Sequence, residues 1–165
     1  VVLEPEIIAV ENLYHFIKNA LFRKIKTSLK DYGFTEIVDK MWEKREKYHI
    51  RNLKELIDSL KTSFSYAQDI IDRAMSEFKI YLILNKVRTS EDILVGSSMK
   101  SIFMKYLGLN ARYVGYIEYD DSIWSSVRSR RPFMLSYGTS RCAREIESLT
   151  DNLLQGKEVK VFRSY

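Results

Sequence analysis

Apolar positions change period several times along this chain, and each change predicts an element. Val1-Val2-Leu3 is a short continuous apolar run of the kind that forms a buried strand. From Pro5 the period becomes helical. Val10, Leu13, Tyr14, Ile17, Ala20, Leu21 and Ile25 recur at spacings of three and four, predicting a helix to about Lys30, with Pro5 near its first turn and Gly33 ending it. Between Thr35 and Ser76 the chain is rich in Lys and Glu. Its apolar groups (Ile37 and Met41; Ile50, Leu53, Leu56, Ile57 and Leu60; Ala67, Ile70, Ile71 and Ala74) predict two or three further helices.

Lys79 to Leu84 is an apolar run too short for a usual helix and suited to a strand buried on both faces, with Asn85-Lys86 stopping it. Thr89 or Ser90 caps the next helix, Glu91 and Asp92 suit its first turn, Ile102, Phe103, Tyr106 and Leu107 face inward, and Gly108 terminates it. Tyr113 to Ile117 reads as a third strand. Asp121 or Ser122 caps a short helix to about Ser129. Thr139 or Ser140 opens a last helix with the stripe Ala143, Ile146, Leu149, Leu153 and Leu154, closed by Gly156. Strands alternating with helices predict an α/β chain with parallel strands joined by crossovers. Three strands make a poor open sheet, and the chain starts without Met inside a strand, so further strands are expected before Val1.

Composition narrows this picture only moderately. At 165 residues and 45% hydrophobic, the chain suits one globular domain, and a net charge of +5 permits an anionic partner without requiring one. The single Cys142 forms no internal disulfide, and no apolar run is long enough to span a bilayer, so the expected location is cytoplasmic. His15, His49 and Cys142 share no ligand spacing, which leaves metal: none as the expectation. Cys142 reads as a buried structural thiol, and Tyr14, Phe103 and Tyr106 as core.

Other groups admit two readings. Asp120 and Asp121 suit acid/base or metal chemistry, or, as favoured, the cap of the following helix. Tyr116 and Tyr119 either stack on a base or pack the strand end. Arg128, Arg130, Arg131, Arg141 and Arg144 either hold DNA phosphates or serve solubility and pair with Glu145 and Glu147. The tail around Lys157, Val159, Lys160, Val161, Phe162 and Arg163 alternates basic with apolar residues, a weak membrane contact broken by Gly156.

The order VVLEPEIIAVENLYHFIK, a helical stretch, IYLILNKV, a helix, YVGYIEYDDSIWSSVRSRRPF and a closing amphipathic helix resembles the carboxy-terminal half of a MinD/ParA-type P-loop ATPase. It is most similar to the branch that includes flagellar-number regulators. The resemblance rests on order and spacing and covers the chain apart from 33–78, which then reads as a helical insertion. It implies a single domain over 1–165 that is part of a larger ATPase domain, namely the carboxy-terminal portion of a three-layer P-loop NTPase-like parallel sheet.

Residue by residue, Pro5, Glu6, Tyr14, Ile17 and Lys18 stand at the family's strand-end turn and following helix. Asn85 stands where the family has an Asn on the adenine edge, a role that suits an amide because it offers both donor and acceptor. Ile117, Glu118, Tyr119 and Asp120 align with an Ile-Pro-x-Asp segment bordering the base, with Glu118 in place of Pro. A Gly-rich phosphate loop with Lys and Ser or Thr is absent from the sequence, so the resemblance implies no catalytic residue here and no ATP hydrolysis by this chain alone. ATP and Mg are implied as cofactors of the full-length relative, with none bound to this stretch. The relative is implied to be a homodimer and an ATP-dependent switch positioning flagella, division machinery or DNA, with nonspecific DNA contacts through the arginines and peripheral contact with the inner membrane face. The alternative from another class is a noncatalytic, basic, helical interaction domain that binds nucleic acid or a protein partner through the stretch between Thr35 and Ser76.

Overall fold

The computed structural model describes residues 1–159. The chain folds as two compact units: Val1–Val10, Ile80–Lys100 and the segment from Ala111 onward form a sheet-bearing unit, and Glu11–Lys79 with Ser101–Asn110 form a helical one.

The sheet contains β1 (Val2–Leu3), β2 (Tyr81–Val87) and β3 (Arg112–Glu118) in the order β1-β2-β3, parallel throughout. Leu3 pairs with Leu84, and Leu82 with Tyr113. This is the expected α/β arrangement. Two details differ. In β2 only Leu82, Leu84 and Val87 are fully buried while Tyr81 and Ile83 are half-exposed, so the strand buries one face rather than two. Nor does the strand stop at Asn85-Lys86. Leu84 pairs with Tyr116 and Val87 with Glu118, so Asn85 and Lys86 together oppose Ile117 in a β-bulge, with Lys86 in left-handed backbone at φ 57°.

Helix α1 (Ile7–Leu29) follows β1, and its residues Leu13, Ile17, Leu21, Ile25 and Leu29 are buried one turn apart. A single 3-10 turn, Lys30–Tyr32, and Gly33 at φ 76° end it. The helical unit continues with α2 (Thr35–Glu43), α3 (Leu53–Ser63) and α4 (Ser65–Glu77). Asn52 caps α3 by accepting from the Glu55 N–H, and Phe34 packs at 5.0 Å from Phe64 and 5.2 Å from Tyr66. Helix α5 (Ser90–Leu107) begins at a reciprocal cap in which the Asp92 N–H donates to Thr89 Oγ1, and the Thr89 N–H to Asp92 Oδ2. Phe103 is buried as expected, whereas Tyr14 and Tyr106 are half-exposed.

Beyond β3 come α6 (Asp121–Ser129), α7 (Phe133–Tyr137) and α8 (Arg141–Gln155). Of the two carboxylates favoured for the α6 cap it is Asp120 that serves, rather than Asp121 or Ser122: its carboxylate accepts from the Ser122 N–H at 2.8 Å. Ser140 caps α8, and Gly156 closes it at φ 65°. Helix α8 packs on β3, with Asn152 donating to the Val114 carbonyl at 3.0 Å and Leu149 against Gly115. Leu153 and Leu154, expected on the inward stripe, are exposed. Asn152 takes the inward place one turn after Leu149, and Leu154 falls more than a quarter-turn off that line. The outer edge of β3 is met by 157–159, where the Val159 N–H donates to the Tyr113 carbonyl.

Candidate functional site

The carboxyl ends of β2 and β3 lie side by side. Their register is fixed there by the Val87–Glu118 pairing and by the Tyr119 N–H donating to the Val87 carbonyl at 2.9 Å. In parallel sheets this end is where ligands are received. The bulge puts Asn85 and Lys86 at that end. Lys86 pairs with Glu4, which leads from β1, and this contact holds its ammonium above the usual lysine range. The half-buried Asn85 amide forms no hydrogen bond with any described residue, leaving donor and acceptor both free.

The same ends of β2 and β3 carry aromatic and ionic groups. The Arg88 guanidinium lies 3.9 Å from the centre of the Tyr119 ring, and the Tyr119 hydroxyl donates to Asp121 at 2.8 Å. Ile117 is half-buried opposite the bulge. The Glu118 carboxylate pairs with Arg141, and its N–H donates to Glu145 Oε2 at 2.8 Å. Asp120 is engaged at the α6 cap, where hydrogen bonds from Ser122 hold its carboxyl below the usual aspartate range. Burial raises Glu145 above the usual glutamate range, against the pull of the Glu118 N–H and Arg141.

Asn85, Ile117, Glu118, Tyr119 and Asp120 all belong to the ends of β2 and β3; Glu118 and Asp120 are each engaged through one carboxylate oxygen, whereas the Asn85 side chain offers both a donor and an acceptor. Arg88 and Glu4 were not among the expected site residues, because their places depend on strand register. Glu145 was expected only as a partner for the arginines, and its i,i+4 pair with Arg141 bears this out, whereas its bond to the Glu118 N–H depends on the α8 packing.

The arginines divide. Arg141 is tied to Glu118 and Glu145, and Arg144 donates to the Thr139 carbonyl at 2.7 Å. Arg128, Arg130 and Arg131 are exposed. A cavity of about 280 Å³ borders α8 and β3, lined by Gly115, Tyr116, Arg141, Arg144, Glu145 and neighbouring residues, away from Asn85.

Burial, with nearby Asp120, Glu145 and Glu118, pushes the Cys142 thiol up to about 11, which keeps it protonated at neutral pH. Among the described residues no group of three His, Cys, Asp or Glu side chains is arranged to hold a metal ion, and no helix is long and apolar enough to cross a membrane. Of the basic tail, Lys157 is exposed and Val159 half-buried, while residues 160–163 lie outside the described residues.

Set against protein-family models, curated proteins and solved structures, the chain matches none. The class that its geometry defines is an α/β protein with a small three-stranded parallel sheet and a predominance of helix.

Proposed function

We propose that the ends of β2 and β3 form the base side of an ATP site, in a chain organised like the carboxy-terminal part of a MinD/ParA-type P-loop ATPase. On this reading the whole protein is a homodimeric, ATP-dependent switch that positions flagella, division machinery or DNA. The observation that carries the reading is the Asn85–Lys86 bulge, because it sets an unpartnered amide at the ligand-receiving end of a parallel sheet. An amide matches an adenine edge in both donor and acceptor, and Tyr119, which follows the end of β3, carries an aromatic ring with the Arg88 guanidinium over it. The phosphates and Mg²⁺ need a Gly-rich Lys-bearing loop that this sequence lacks, so the chain contributes base recognition without hydrolysis.

The test is an NMR titration of the chain with ATP, adenosine and GTP. Adenosine and ATP should shift Asn85 and the 116–120 amides equally, with a Kd on the order of 1 mM or about 4 kcal/mol. GTP should shift them less, and Asn85→Ala should abolish the preference. Shifts confined to arginine-bearing segments, or an unchanged response in Asn85→Ala, would overturn the reading.

A second reading rests on the link between α2 and α3. There Lys44, Lys47 and the Tyr48 ring are exposed, Arg45 lies 5.6 Å from the Trp42 ring, and His49 takes left-handed backbone at φ 55°. Cations interleaved with aromatic rings suit single-stranded nucleic acid, which would make the helical unit a noncatalytic interaction module. Retention of oligonucleotides at low salt, lost in Arg45→Gln with Lys47→Gln, is the expected result; retention unaffected by both changes would exclude the link.

A further inference from the structure

Large apolar side chains stand exposed on two short helices of the sheet-bearing unit. On α6, Trp124 and Val127 lie one turn apart and are 59% and 65% exposed. On α7, Met134 is exposed at 38% and Leu135 at 84%. Scattered single apolar residues need no explanation, but four in so short a stretch mark a surface that something covers. The two helices already pack on one another, with Ser126 buried on α6 and Phe133 stacked 5.7 Å from Tyr137 on α7. No described residue covers their outward groups.

The turn between them is cationic. Arg128 lies 5.5 Å from the Trp124 ring, Arg130 closes α6 in left-handed backbone at φ 53°, and Arg131 follows. Within 121–140 these three arginines face a single carboxylate, Asp121, which accepts from the Tyr119 hydroxyl. The ion pairs of this unit engage Lys86, Lys100 and Arg141 instead.

We propose that α6, its basic turn and α7 form a docking element for an anionic lipid surface. Trp124, Val127, Met134 and Leu135 enter the boundary between headgroups and acyl chains, and Arg128, Arg130 and Arg131 pair with lipid phosphates. Tryptophan favours that boundary, where its ring is half wet. Nucleic acid shares the phosphate chemistry, but it has no hydrocarbon to receive Val127, Met134 and Leu135, and this difference selects the lipid. Neither helix spans a bilayer; the contact is peripheral. The inference is independent of the nucleotide reading.

The test uses the full chain carrying Trp42→Phe, so that Trp124 is the one remaining tryptophan. Phosphatidylcholine vesicles containing phosphatidylserine should shift its emission to the blue, an effect that added salt diminishes, whereas vesicles of phosphatidylcholine alone should not. Val127→Ser with Leu135→Ser should weaken vesicle binding roughly tenfold or more. Arg128→Gln, Arg130→Asn and Arg131→Gln together should remove the preference for the anionic lipid. All five positions are exposed, and circular dichroism checks that the variants fold; flotation of the unmodified chain serves should Trp42→Phe misfold. No binding to anionic vesicles at low salt overturns the proposal. So does binding that survives the two serine changes. Retention of random duplex DNA that only the arginine changes abolish, without vesicle binding, assigns the surface to nucleic acid.

Discussion

In the helical unit, α1 buries Leu13, Ile17, Leu21, Ile25 and Leu29, while α3 buries Leu53, Leu56, Ile57 and Leu60. In the sheet-bearing unit, Leu3, Leu82, Leu84, Val87 and Val114 are buried around the strands, yet Ile7, Ile8, Trp124, Val127, Leu135 and Leu154 stand exposed. The contrast is one of kind: what the helical unit leaves exposed is mostly aromatic, as at Phe16, Tyr32, Tyr48 and Tyr66, whereas the sheet-bearing unit leaves chiefly aliphatic groups and a tryptophan uncovered. Paired and exposed cations occur in both units, with Lys44 and Lys47 exposed in the helical one and Lys86, Lys100 and Arg141 paired in the other. Ion pairs in the helical unit, such as Lys26–Asp39 and Lys61–Asp72, staple helices at the surface, and Asn85, Arg128, Arg130 and Arg131 in the sheet-bearing unit keep atoms available. Three experiments test the contrast.

The largest effect is expected from matched truncations. Leu56 is fully buried, so Leu56→Ala should cost about 2–5 kcal/mol through lost transfer energy and a residual cavity. Leu135→Ala, at an exposed position, should change stability by less than about 0.5 kcal/mol. Urea denaturation followed by circular dichroism measures both. A comparable loss in the two variants would mean that Leu135 is covered in solution and would break the comparison.

A smaller pair of effects probes the interior of the sheet-bearing unit. The Tyr113 ring lies against Gly96 so closely that an added Cβ would stand 2.5 Å from Tyr113 Cζ. Gly96→Ala should therefore cost about 1–3 kcal/mol by overpacking. The Tyr113 hydroxyl is buried without a hydrogen-bond partner among the described residues, and burial raises its pKa. Tyr113→Phe should stabilise by about 1 kcal/mol, since it removes a desolvated polar group while keeping the ring. A lowered melting temperature for Tyr113→Phe would reveal a partner for the hydroxyl.

The same contrast explains what could be read beforehand. Helices α1 and α3 were legible because their buried positions repeat at the helical period, and Gly33, Gly108 and Gly156 marked ends where φ is positive. The order of strands and helices likewise followed from the changes of period. The bulge was not legible: Asn-Lys resembles a strand stop, and only the pairing of Val87 with Glu118 carries β2 past it. Three successive capping residues, Asp120, Asp121 and Ser122, made the start of α6 ambiguous by one or two positions, and backbone geometry selects Asp120. For the candidate site, Asn85 and the 117–120 segment were expected from the resemblance alone, and the Arg88–Tyr119 contact and the Glu118–Glu145 hydrogen bond arise from tertiary packing.

The smallest expected effect concerns Glu145, the partly buried carboxylate that supports the end of β3. Its side chain is 14% exposed, accepts from the Glu118 N–H at 2.8 Å and meets Arg141 Nε at 3.3 Å. Burial nevertheless dominates and raises its pKa, with the Glu118 carboxylate pushing in the same direction. A carboxyl whose folded pKa is raised contributes stability that is fully present below its unfolded pKa. That contribution is lost as pH rises from about 4.5 through the folded value. Glu145→Gln keeps an oxygen for the Glu118 N–H and removes the buried charge, while Arg141 retains Glu118. The variant should match or exceed the parent at pH 7 by a few tenths of a kcal/mol, roughly the scale of an exposed ion pair, and should flatten the decline in stability above pH 4.5. Urea midpoints at acidic and neutral pH measure both. A loss of more than about 1 kcal/mol at pH 7 would show that the Arg141 pair outweighs burial, making Glu145 the sheet-bearing unit's counterpart of the helical unit's ionic staples.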